Sequence, residues 1–243
     1  MTIFGTDGMA IITTNYEILI GNYGSGKTEL ALNFALDATD MGQKTTLCDI
    51  DIVNPYFRSS ALDDILVGKG IDVITTKFAG SGVDVPSLPA EFTRIFFGDY
   101  DCAVVDVGGD SVGARVLGRY LNDFISVRKS VNVNLVVNAN RPLTSTVFSI
   151  ISMYHSIKDA MRLDIDCLIN NTNLAEETTA QTVIEGHTLI EEAGRKIQKP
   201  IRYITATKMV AKALSKEKDY GQLIREVSTY MRPDWLKTGY SNH

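Results

Sequence analysis

The stretch Ile20–Leu30, IGNYGSGKTEL, packs three glycines, a lysine and a threonine into eight positions. Gly21, Gly26, Lys27 and Thr28 obey the spacing G-x-x-x-x-G-K-[ST], with an apolar run before and a helical pattern after. Glycines let main-chain N–H groups converge on an anion without side-chain obstruction, and a following helix N-terminus adds a favourable dipole. The chemistry this serves is polyphosphate binding. Gly21, Asn22, Tyr23, Gly24, Ser25, Gly26, Lys27, Thr28 and Glu29 are its expected contacts. Lys27 is expected to reach the β- and γ-phosphates, and the Thr28 hydroxyl to ligate Mg²⁺. A dinucleotide fingerprint fits less well, because Glu29 stands where its third glycine belongs.

A polyphosphate with a bound metal needs carboxylates at the C-terminal ends of neighbouring strands. CAVVDVGG places Asp106 at the end of an apolar run, with Gly108 and Gly109 behind it. Asp106 is therefore expected to support Mg²⁺. The two glycines would let the backbone approach a terminal phosphate and move when it leaves. LCDIDIVNPYFRS supplies Asp49 and Asp51 at the exit of the next strand. Taken singly, each aspartate could be an ordinary strand-end cap.

Other chemistries are weaker. GDSVG (Gly109–Gly113) fits the nucleophile elbow G-x-S-x-G, which would use Ser111 with His155 or His187. Ser111, however, lies several residues past the strand, no HGGG-type motif appears, and the glycine-lysine loop would go unexplained. Three histidines without helpful spacing do not make a zinc site. Cys48, Cys102 and Cys167 are far apart and read as small core residues of a cytoplasmic protein.

The elements that would position these groups alternate. Strands are expected at Tyr16–Ile20, Lys44–Asp49, Ile71–Thr75, Cys102–Val107, Val131–Val137, Ile165–Ile169 and Ile201–Thr205. Helices are expected at Lys27–Met41, Ser111–Arg128, Leu143–Met161 and Leu174–Ala193. Apolar strands separated by helix-length segments predict an α/β fold, a mainly parallel, doubly wound sheet of about seven strands with helices on both faces. Phe78–Pro89 is the main irregular loop. In the tail, Leu223, Ile224, Val227 and Met231 stand at helical spacing and predict a helix packed on the sheet.

At 243 residues and 44% hydrophobic, the chain suits one domain, with residues 1–15 as an N-terminal extension and 232–243 as a flexible tail. No apolar run is long enough to span a bilayer, and the N-terminus carries no pattern of a secretion signal. A net charge of −5 argues against a large nucleic-acid footprint.

The phosphate loop, DIDIVNPYFR and VVDVGGD together resemble the MinD/ParA/CobQ group of P-loop ATPases, the SIMIBI class. The resemblance implies that Asp51 orients the attacking water beside the metal, that Asp106 supports Mg²⁺, and that Asp49–Arg58 and Asp106–Gly113 are switches. Asp49, Arg58, Gly108 and Gly109 are the switch residues this singles out. An early lysine of the MinD and ParA loops is replaced here by Asn22. Closely spaced interface cysteines of metal-handling relatives are absent, and a terminal basic membrane helix is not expected because Pro233 interrupts the tail. A guanine site would pair an asparagine with an aspartate, and neither INNTN (Ile169–Asn173) nor VNANRP (Val137–Pro142) has one. ATP is therefore expected, with Asn170 contacting the base unless these asparagines only cap turns. The implied activity is Mg²⁺-dependent ATP hydrolysis that drives a contact with a protein partner or a second copy. The alternative is an ATP-dependent ligase or amide synthase of the dethiobiotin-synthetase or CobQ/CobB type, with Phe78–Pro89 closing over a small carboxylate.

Overall fold

In a computed structural model, which describes residues 3–4, 10–11, 14–50, 60–75, 90–109, 111–217 and 220–231, eight parallel strands form one sheet. Two short strands precede it, β1 (Ile3–Phe4) and β2 (Ala10–Ile11), paired antiparallel. The chain then runs β3 (Asn15–Ile20), α1 (Lys27–Asp40), β4 (Thr45–Asp49), α2 (Ser60–Gly68), β5 (Asp72–Thr75), α3 (Arg94–Phe97) and β6 (Cys102–Asp106). It continues through α4 (Ser111–Leu117), α5 (Leu121–Ser126), β7 (Val131–Val137), α6 (Val147–Met161), β8 (Cys167–Asn170), α7 (Ala180–Ile197), β9 (Ile201–Ala206), α8 (Lys208–Leu214) and β10 (Ile224–Glu226). The strand order is β10-β9-β8-β7-β3-β6-β4-β5, which puts β3, the strand before the phosphate loop, in the middle.

Alternation along the strands separates two cores. Ile18, Ile20, Val105, Val133 and Leu135 are buried against Leu117, Phe124, Ile150 and Tyr154 from α4, α5 and α6. Leu19, Leu47, Val104 and Val136 face the other way and are buried with Leu30 and Phe34 of α1. The doubly wound architecture is therefore as the sequence pattern implies. Among the described residues, no helix is long and apolar enough to cross a membrane.

Three departures from the expected elements have local causes. The helix expected over Ser111–Arg128 breaks into α4, a 3₁₀ turn at Gly118–Tyr120 and α5. At Gly118 a Cβ would stand 3.3 Å from the Met161 carbonyl, so the break falls where α4 meets the end of α6. Helices α6 and α7 start later than expected, at Thr146 and Thr179. Each threonine forms a reciprocal hydroxyl capping box, with Ser149 and Thr182 respectively.

The tail is the third correction. The segment with helical spacing is instead an eighth strand, β10, paired in parallel with β9. Beyond it, Asn33 of α1 brackets Ser228, donating from Nδ2 to its carbonyl (2.9 Å) and accepting its N–H at Oδ1 (2.8 Å). Extended backbone finds partners on α1 that a helix would have had to satisfy internally.

Candidate phosphate-binding site

The loop Gly21–Gly26 leaves the C-terminal end of β3 and delivers the chain into α1. Gly26 is the helix N-cap, in the left-handed region at φ +84°, with no side-chain cap. Both capping boxes on α6 and α7 consume first-turn N–H groups, whereas no side chain caps α1. A Cβ at Gly26 would come within 2.3 Å of Asn171 Nδ2, so glycine is required by contact as well as by conformation. Lys27 is buried, and its Nζ lies across the loop, donating to the Asn22 carbonyl at 3.3 Å. The Asn22 side chain accepts from Tyr23 N–H at 2.8 Å. Ser25 N–H donates to the Asn22 carbonyl at 3.2 Å, closing the turn.

Below this loop lie two carboxylates. Asp49 and Asp106 end adjacent strands, are register partners, and are both buried. Each follows by two residues a side chain packed beneath α1 (Leu47 and Val104), so both occupy the α1 face of the sheet. The ladder continues past them, with Ile50 N–H donating to the Asp106 carbonyl at 3.0 Å and Val107 N–H to the Leu19 carbonyl at 3.1 Å. Burial pushes the Cys48 thiol well above its ordinary pKa, and the field of Asp49 and Asp106 pushes it further.

Hard oxygen donors in a negative field suit a small divalent cation. Among the described residues no cluster of three or more His, Cys, Asp or Glu could hold a metal alone. Such a donor set fits Mg²⁺, which keeps waters and takes the rest of its shell from phosphate oxygens. Thr28, in the first turn of α1, and Asp106 are the protein groups that would hold it.

The segment after β6 touches the loop directly. A Cβ on Gly109 would stand 2.7 Å from Tyr23 N, so only glycine allows this backbone-to-backbone approach. Gly108, just before it, is buried.

On the opposite flank lie Asn170 and Asn171, at the end of β8. Asn170 is fully buried. Its Nδ2 donates to the Val183 carbonyl at 3.3 Å, and its Oδ1 accepts from Thr172 N–H at 3.0 Å. The neighbour Asn171 reaches the loop instead, donating to the Ser25 carbonyl at 2.7 Å and accepting the Thr205 hydroxyl at 2.5 Å. Successive residues leaving a strand point to opposite faces, so one position decides which amide meets the phosphate loop. Arg141, after β7, donates from Nε to the Gly24 carbonyl at 3.0 Å. Asn138, Arg141 and Asn171 stand inside the two asparagine-rich stretches of the sequence, but nothing in their spacing marks them.

The Glu29 carboxylate accepts the N–H groups of Tyr230 and Met231. Asp51, Arg58, the Phe78–Pro89 loop and the tail 232–243 lie outside the described residues. For the nucleophile-elbow reading, Ser111 opens α4, His155 is exposed on α6, and His187 is buried edge-on to Tyr220 with ring centroids 5.0 Å apart. Burial lowers the His187 pKa.

Beside the loop lies an open cleft of about 430 Å³ whose walls include Asn22, Gly109, Leu143, Phe148 and Met153. Tyr23, Leu143 and Phe148 are 64%, 66% and 81% exposed.

No protein-family model matches the chain, and no curated protein matches it in sequence. Solved structures do match. The cell division protein ftsY of Thermotoga maritima superposes with a TM-score of 0.55 at 18% identity, over 80% of this chain and 62% of that one. Chloroplast FtsY of Physcomitrella patens gives 0.54 at 13% identity, over 84% and 60%. The signal recognition particle 54 kDa protein of Aeropyrum pernix, in complex with GDP, gives 0.50 at 19% identity, over 79% and 41%. The chain spans less than two thirds of each of these proteins. At these identities the likeness is one of fold, that of a P-loop nucleotide-binding sheet.

Proposed function

We propose that this chain is a Mg²⁺-dependent ATPase that uses its nucleotide state to control a contact with a partner protein or a second copy. The observation that carries the reading is the uncapped start of α1 behind Gly21–Gly26, with Lys27 laid over the loop and Asp106 beneath it. Main-chain N–H groups of Gly24 and of residues 26–28 would cradle the phosphates, and Lys27 would neutralise charge on the group being transferred. Thr28 and Asp106 would hold Mg²⁺. Asp51 keeps its proposed role of orienting water. Phosphoryl transfer asks for positioning and electrostatic stabilisation more than covalent help, which is what such a site offers.

ATP is proposed over GTP because the asparagine that meets the loop, Asn171, is followed three residues later by Leu174 rather than an aspartate. A neighbour in fold that holds GDP makes guanine the competitor to test. The switch reading is supported by Gly109, which abuts Tyr23 and lines the same cleft as the exposed Leu143 and Phe148. A change at the terminal phosphate would be felt at an apolar surface suited to a protein partner. Three free, buried cysteines fit a reducing compartment, and we place the chain in the cytoplasm.

Calorimetry with Mg·ATP and Mg·GTP tests the reading. Mg·ATP is expected to bind more tightly, and Lys27→Ala to abolish its turnover while the fold persists. No heat of association with either nucleotide would refute it. Turnover seen only after adding a small carboxylate would shift the function to the ligase alternative.

A further inference from the structure

Arg141 sits on a loop built to hold it. Asn138, fully buried, accepts Asn140 N–H at its Oδ1 (3.0 Å), and its carbonyl takes Arg141 N–H (3.1 Å) and the Thr144 hydroxyl (2.6 Å). Thr144 N–H returns to the Arg141 carbonyl at 2.9 Å, and Pro142 restricts the backbone between them. From this frame the exposed Arg141 side chain crosses to the tip of the phosphate loop, where Nε meets the Gly24 carbonyl. Among the described residues Arg141 has no carboxylate partner and no other side-chain hydrogen bond. Both η nitrogens of its fork therefore remain for an anion. Two residues on, Leu143 shares a cleft with Asn22 and with Gly109, the glycine that follows Asp106 by three positions. The loop that carries Arg141 and the segment after Asp106 therefore meet at one cleft beside Asn22.

We infer that Arg141 is a catalytic arginine that donates to the terminal phosphate of the nucleotide held by its own loop, with the Gly24 carbonyl aiming its guanidinium. The inference rests on the nucleotide reading above. A planar guanidinium suits a phosphate that gains charge in the transition state, and a preset frame avoids reorganisation at that moment. The plainer alternative, a tie between two loops, would stiffen the site equally for nucleoside di- and triphosphates.

Arg141→Ala, Arg141→Gln and Arg141→Lys in the full chain separate these. The position is exposed, and circular dichroism would verify folding. Turnover of Mg·ATP is expected to fall about 100-fold in the Ala and Gln variants. ADP affinity should stay within about threefold, and Lys should recover part of the loss because it keeps the charge without the fork. Turnover within about threefold of the original in all three variants overturns the inference. So does an equal loss of ADP and ATP affinity with Lys no better than Ala. The comparison needs an unsubstituted chain that binds and hydrolyses ATP; one that binds no nucleotide overturns the nucleotide reading and this inference with it.

Discussion

Asn171 shows how much can hang on one amide. It is 8% exposed and joins the Ser25 carbonyl to the Thr205 hydroxyl, so the phosphate loop is pinned to the ends of β8 and β9. Asn171→Ala would leave the Ser25 carbonyl without its amide donor, while the Thr205 hydroxyl keeps the Asn170 carbonyl at 3.1 Å. An unmet buried polar group costs about 1–3 kcal/mol. The expected result is a lower denaturation midpoint together with nucleotide binding weakened by about tenfold, as the loop loses its fixed shape. Asn170→Ala is expected to cost stability while leaving nucleotide affinity near that of the unsubstituted chain, because its amide serves only the turn and α7. Parallel urea titrations and calorimetry would check the pair, and unchanged nucleotide binding in the Asn171 variant would remove it from the site. The phosphate loop itself is legible in the sequence, since its spacing encodes backbone requirements that few other uses share. The choice between Asn170 and Asn171 is not, because it depends on the parity with which a strand ends. Arg141 is hidden for another reason, as its contact to Gly24 spans 117 positions.

At the level of elements, α1 has two duties. Its first turn is proposed to meet the phosphates, while Glu29, Asn33 and Asp37, at i, i+4 and i+8, form a polar stripe that holds the last described stretch. Glu29 takes Tyr230 and Met231, Asn33 takes Ser228, and Asp37 pairs with Arg225 at 2.7 Å. Arg225 also lies 3.8 Å above the Phe34 ring, so the same helix supplies an aromatic face. The apolar residues Leu223, Ile224, Val227 and Met231 satisfy a helical template in sequence, but the groups that decide their fate belong to a distant helix, with Asn33 and Ser228 separated by 195 positions. Asn33→Ala is expected to destabilise the fold by about 1–3 kcal/mol, since the Ser228 N–H and carbonyl both lose their side-chain partner at once. Amide exchange should report it locally, with Ser228, Tyr230 and Met231 losing protection before the sheet centre does. Protection unchanged at those amides would show that β10 holds the segment without α1. The seven strands legible in sequence all have apolar runs long enough to announce themselves. The three-residue β10 does not.

Across the whole molecule, a polar bar runs through the sheet from strand to strand. Glu17 of β3, Asn132 and Asn134 of β7, Cys167 of β8 and Arg202 of β9 are joined in one network over four adjacent strands. Arg202 grips Glu17 with two nitrogens, at 2.6 and 2.9 Å, and Glu17 is only 5% exposed. Burial alone would lower the Arg202 pKa, but the hydrogen bond and charge of Glu17 outweigh it and raise it. Burial likewise pushes the Cys167 thiol up to about 11, which keeps it a neutral donor to Asn134. In sequence these residues read as minor interruptions of apolar strands, because a strand cannot show what its neighbours three places along the sheet will offer. Removing one partner is expected to cost far more than removing both. Arg202→Ala leaves a buried carboxylate uncompensated, worth about 3–5 kcal/mol against a total stability of about 5–15 kcal/mol. The double replacement Glu17→Met with Arg202→Met should recover most of that loss, since an apolar pair of similar volume needs no desolvated charge. Glu17 and Arg202 stand in the N-terminal halves of their strands, whereas the phosphate loop leaves the C-terminal end of β3. Nucleotide affinity in the single variant, measured well below its melting temperature, should therefore stay unchanged while the midpoint falls. A single variant as stable as the parent would mean that water already serves Glu17 and that the bar contributes little to holding the sheet together.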